Sequence, residues 1–192
     1  MGLRNPTKLN INRLGVKCLV LSRNNFGDEF AYQLSMALKA DEYIKSICLK
    51  KNNIGSDGLK NLAEACTVHP SILSIDLRYN PCFAEKKAHQ FKAIMRKSFF
   101  SNLAREVKFC EENKTRIKID WIFPACLGLE KNPLDEHHRN DISINAKRKY
   151  FAELLAKISD NTNLPFSKVF KAFLGTKAQE FYDIKKIIEY IH

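Results

Sequence analysis

Ile44-Lys45-Ser46-Ile47-Cys48-Leu49-Lys50-Lys51-Asn52 has two close copies in the same chain. One lies 28 residues earlier, Val16-Lys17-Cys18-Leu19-Val20-Leu21-Ser22-Arg23-Asn24, and the other 28 residues later, Ile72-Leu73-Ser74-Ile75-Asp76-Leu77-Arg78-Tyr79-Asn80. Apolar side chains hold the first, fourth and sixth places and Asn the ninth. Self-similarity at a fixed period of this length signals units that bury their apolar faces against their neighbours. The alternation around Leu19, Ile47 and Ile75 predicts one short strand per unit. An Asn at a tight turn inside such a stack supplies donors and acceptors to backbone groups that water cannot reach. Asn24, Asn52 and Asn80 are therefore expected to be structural.

Between the strands the apolar spacing turns helical, with Phe30, Leu34, Met36, Ala37 and Leu38 in the first unit and Leu59, Leu62, Ala63 and Ala65 in the second. Asp28 and Ser56 stand where N-caps belong. His69-Pro70-Ser71 ends the second helix, and His69 reads as a loop residue. The three lines with their Asn, together with Phe26-Gly27-Asp28-Glu29-Phe30 and Ile54-Gly55-Ser56-Asp57-Gly58, resemble the leucine-rich repeat in its ribonuclease-inhibitor-like form. The resemblance covers about residues 16–83. It implies parallel strands with helices outside, and a concave strand face of the kind that commonly binds proteins.

The expected fold is α/β: a short leucine-rich-repeat solenoid followed by an all-helical C-terminal region. Residues 1–83 form the repeat segment, with Leu9, Ile11 and Leu14 in an N-terminal cap. Residues 84–130 form a helical cap and an extended segment at 115–122. Residues 131–144 read as a linker. Residues 145–192 form helices built on the stripes of Leu154, Leu155 and Ile158, of Val169, Phe170 and Phe173, and of Phe181, Ile184 and Ile188. Trp121 and Phe123 are read as packing anchors, with an interface role as the alternative.

Chemistry-bearing motifs are absent: no GxGxxG, Walker A, GxSxG or HExxH occurs. The six cysteines have no CxxC pair, so neither a zinc site nor a disulfide framework is expected. His137-His138 beside Asp135 and Glu136 is poor chelate geometry, because adjacent residues do not share a helix face. The sequence reading is a noncatalytic protein without cofactor or metal.

The 192 residues carry 32 Lys plus Arg against 21 Asp plus Glu, a net charge of +11. Residues 1–96 hold 15 basic and 8 acidic side chains, and residues 97–192 hold 17 and 13, so the excess is not a tail. Strand positions facing away from the helices should line the inner face of the stack. Lys17, Arg23, Lys45, Lys50, Lys51, Arg78 and Tyr79 lie among them, with Asp76 the one acid, and are the expected partner-binding residues. Such a face attracts an acidic protein surface. Nucleic acid is not favoured, since Lys outnumbers Arg 23 to 9 and a lysine lacks the planar fork that reads bases. No apolar run reaches the ~18 residues of a membrane span. The N-terminal residues hold no apolar signal core.

The expectation is thus a protein-binding adaptor or structural subunit, intracellular and cytoplasmic, with a cytoskeletal or ciliary assembly suggested by fold-level analogy. The alternatives are a nucleic-acid-associated subunit of a ribonucleoprotein and an intracellular bacterial effector that binds a host protein.

Overall fold

The structure is a computed structural model and describes residues 15–84, 88–118, 121–122 and 144–174. The expected N-terminal cap, the linker with its His pair, Phe123 and the Phe181–Ile188 stripe lie outside these residues. The chain divides into two compact units, Met1–Phe99 and Phe100–His192.

The first unit is mixed α/β. Its elements are β1 (Cys18–Val20), α1 (Asp28–Lys39), β2 (Ser46–Cys48), α2 (Ser56–Val68), β3 (Ser74–Asp76) and α3 (Pro81–Ala84), followed by the start of α4 (His89–Asn113). The strands are parallel in the order β1-β2-β3. Leu19 pairs with Ile47 and Ile47 with Ile75, so each strand sits one sequence period from the next without slippage. The ladder outruns the three-residue strands. Lys45 N donates to Lys17 O (2.8 Å), and Leu73 N repeats that bond to Lys45 O (2.7 Å). Arg23 N reaches Lys50 O and Lys51 N reaches Arg78 O, both at 3.0 Å.

The core lies between the sheet and the paired helices α1 and α2. Ile44, Ile47, Leu49, Ile54, Leu59, Leu62, Ile72 and Ile75 are buried there with Ala31, Leu34 and Leu38. Their removal from water supplies the main stabilising term. Pro81 opens α3 at a position where a missing N–H costs nothing.

The Asn column is a hydrogen-bond bridge. Asn52 Oδ1 accepts from Asn24 N (2.9 Å) and Phe26 N (3.1 Å), while its Nδ2 donates to Leu21 O (2.8 Å) and Leu49 O (2.9 Å). Asn80 repeats the arrangement one period on, accepting from Ile54 N and donating to Leu49 O and Leu77 O. The Asn24 side chain, by contrast, makes one exposed bond among the described residues, from Nδ2 to Ser22 O.

Two sequence expectations need correction. Gly27 and Gly55, not Asp28 and Ser56, occupy the N-cap positions, and neither cap has a side-chain hydrogen bond. Asp28 serves the next helix instead. Its Oδ1 accepts from Gly55 N (2.6 Å) and Gly58 N (3.1 Å), placing a carboxylate at the positive end of α2. The close approach requires glycine: a Cβ on Gly58 would stand 2.5 Å from Asp28 Oδ1 and 2.9 Å from Ala31 Cβ.

His69 lies just past α2, outside helix and strand as expected, and it is buried. It stands one period after Asp41, and both side chains tie down the turn that follows. Asp41 Oδ1 accepts from Tyr43 N and Ile44 N, and His69 Nδ1 accepts from Ser71 N and Ile72 N. With Nδ1 accepting, the ring proton sits on Nε2, which donates to Asp41 Oδ1 at 3.2 Å. Burial pushes the His69 pKa below its usual 6.5, against the opposing pull of Asp41.

The described residues of the second unit contain helices and no strand. α5 (Ile144–Thr162) packs on α6 (Phe166–Leu174) through Leu154, Leu155, Ile158, Val169, Phe170 and Phe173. Phe151 and Phe173 meet edge to face, with centroids 6.3 Å apart. The extended segment expected at 115–122 forms no strand at 115–118 or 121–122. Ile117 N donates to Ala172 O near the end of α6, so a helix terminus takes the bond a strand partner would have taken. No helix among the described residues is long and apolar enough to cross a membrane.

Candidate functional site

The bend after each strand turns the chain through the left-handed region. Arg23 (φ 63°), Lys51 (φ 56°) and Tyr79 (φ 59°) occupy the same place in the three units. Non-glycine residues rarely adopt this conformation, which costs about 1 kcal/mol each. All three side chains are exposed, Tyr79 by 61%. Parallel pairing sets successive strands ~4.8 Å apart, so the three form a row across the sheet's C-terminal edge. Lys50 Nζ stands 5.2 Å from the Tyr79 ring centroid and Lys51 Nζ 5.5 Å. Two cations thus stand against one aromatic ring, an attraction worth roughly 0.5–1 kcal/mol apiece at exposed sites.

The other expected binding residues are placed differently. Arg78 folds back on Asp76, its Nε 3.0 Å from Oδ1 and its Nη2 2.8 Å from Oδ2, and the Arg78 N–H also donates to Oδ1. Asp76 is 1% exposed, so this is a partly buried, two-pronged pair that engages the charge of Arg78. Lys50 is only 8% exposed and Lys45 is half-buried. Lys17 is exposed but stands apart, over the Tyr43 ring at 5.1 Å.

The expectation of an open inner face holds at β1 and fails at β2 and β3. Cys18 is exposed and Val20 is 67% exposed, whereas Ser46, Leu73, Ser74 and Asp76 are buried. Alternation tells which way a side chain points; it does not tell whether that side of a parallel sheet is covered. The basic surface that remains is the bend row, Arg23, Lys51 and Tyr79 with the Lys50 stem beneath.

Burial pushes the Cys66 thiol up to about 12 and also raises Cys48, so neither is poised as a thiolate nucleophile. Among the described residues no three His, Cys, Asp or Glu side chains converge as a metal set.

The sequence reading missed the left-handed row and the Lys17–Tyr43 stack. The common place of Arg23, Lys51 and Tyr79, one before each Asn, was the available signal for the first. Compared with models of known protein families the chain matches none, and compared with curated proteins it matches none.

Proposed function

We propose that the first unit is a short leucine-rich-repeat segment and that the protein is a noncatalytic binding subunit, docking an acidic protein surface on the Arg23–Lys51–Tyr79 row. The repeat reading is supported by the 28-residue strand register and by the Asn bridges at the same period. The binding reading rests on one observation above all. Three consecutive units hold a large cationic or aromatic side chain outward at a bend where glycine would be less strained. A net charge of +11 adds long-range attraction for an acidic partner. We place the assembly inside the cell, on a cytoskeletal or ciliary structure, by fold-level analogy alone.

The test is affinity isolation from source cells with the native chain, an Arg23→Glu/Lys51→Glu/Tyr79→Ala chain and a Lys39→Glu/Lys60→Glu control. The expected result is an acidic partner retained by the native and control chains and lost from the triple variant. An unchanged partner set would overturn the assignment. Recovery of RNA in place of protein, falling steeply with salt, would transfer the reading to a ribonucleoprotein.

A further inference from the structure

β1 is an end strand of the sheet among the described residues, and its apolar residues are less covered than those of β2. Val16, Leu19, Leu21 and Phe26 are half-buried, while their counterparts one period on, Ile44, Ile47, Leu49 and Ile54, are wholly buried. The backbone points the same way. Lys17 O, Leu21 N and Arg23 N are bonded to the β2 segment. Alternate residues of a parallel strand bond to opposite sides, so the N–H and C=O of Cys18 and Val20 face away from β2. An edge of this kind is a template for another strand.

The charges choose the occupant. Lys17 and Arg23, both exposed, bracket the edge, with Val20 midway between them. A second copy of the chain pairing antiparallel about Val20 would set Lys17 directly against Arg23. Like charges opposite one another destabilise such a pair. A segment with carboxylates about six residues apart, spanning ~20 Å of strand, meets both cations instead.

We propose that the outer edge of β1 accepts an extended segment of a partner protein as a further parallel or antiparallel strand, apolar at alternate positions and acidic at both ends. The backbone supplies the affinity, and the bracketing cations with the thin core beside Leu19 and Leu21 supply the selection. This surface shares Arg23 with the bend row but not Lys51 or Tyr79, so Val20→Pro and Lys51→Glu/Tyr79→Ala separate the failure of one proposal from the failure of the other.

The experiment is titration of the full chain against a labelled peptide, acetyl-Glu-Val-Thr-Val-Thr-Val-Glu-amide, followed by fluorescence anisotropy. Two further peptides carry N-methyl groups on every second residue, one in each alternation. The expected result is saturable binding of the parent, unchanged affinity for one methylated peptide and a loss of at least about tenfold for the other, as removal of a few backbone bonds implies. Val20→Pro removes only an outward N–H, which an edge strand tolerates. It should weaken the parent by a similar factor with thermal unfolding unchanged. If that variant fails to fold, the methylated peptides decide alone. Lys17→Glu should weaken the Glu-ended peptide and favour a Lys-ended one.

Equal affinity for the parent and both methylated peptides would overturn the proposal, as would absence of saturable binding. So would a native dimer dissociated by Val20→Pro, or binding that survives Val20→Pro but is lost in Lys51→Glu/Tyr79→Ala.

Discussion

Replacing Asn52 with alanine removes four hydrogen bonds at once, and the structure says which of them leave an orphan. Leu49 O keeps a second donor, Asn80 Nδ2 at 2.8 Å. Asn24 N, Phe26 N and Leu21 O lose the Asn52 amide. At about 1 kcal/mol for each of these three, Asn52→Ala should cost about 3 kcal/mol, and more if the vacated site stays dry. Asn24→Ala is the internal control. It removes the same chemical group from the same place in the repeat, but only an exposed bond to Ser22 O, and should cost well under ~1 kcal/mol. Asn52→Asp keeps the two acceptances and loses the two donations, so it should fall between them. The assay is urea unfolding followed by far-ultraviolet circular dichroism, comparing midpoints at matched slopes. If Asn52→Ala and Asn24→Ala shift the midpoint equally, the Asn column does not bridge the units as described.

Two further predictions concern the turns around α2. Gly58→Ala should destabilise by about 1–3 kcal/mol through overpacking against Asp28 and Ala31, despite the helix propensity gained. A raised melting temperature would refute the close approach. For His69 the folded pKa lies below the unfolded 6.5, so its contribution is fully present above pH 6.5. It is lost progressively as the pH falls from there through the folded value, because the unfolded chain binds the proton first. Stability measured from pH 8 to pH 4 should therefore fall less steeply in His69→Gln than in the native chain. Parallel curves would show that the ring does not titrate against the fold.

The strands, both long helices of the first unit and the Asn column were legible because each rests on period alone. Leu19, Ile47 and Ile75 declare their strands by alternation, and their common spacing declares the register. The caps were misread because Asp28 has two neighbours worth serving, its own helix and the next. A linear sequence shows only the first. The burial of His69 was not legible for a related reason: its partner Asp41 lies a full period away, and the match between an acid and an imidazole at one repeat position is visible only when both fill the same turn. The inner face was legible in direction and not in exposure. Ser46, Ser74 and Asp76 point where alternation says, but their burial depends on what else packs there. Arg78 reads as a binding cation in the sequence, whereas the fold pairs it with the buried Asp76 two residues away.

The paired loans between sequence periods of the first unit have a consequence for cutting the chain. Asp28 of the first 28-residue period completes the start of α2, and Asn52 of the second period completes the bend after β1. Cleavage between residues 43 and 44 would leave each fragment short of groups that only the other holds: the Asn52 side-chain amide on one side, the helix-end carboxylate of Asp28 on the other. Neither half is then a self-sufficient module. Mixed together they have reason to find one another, and the first unit behaves as a lock cast in two pieces rather than as beads on a string.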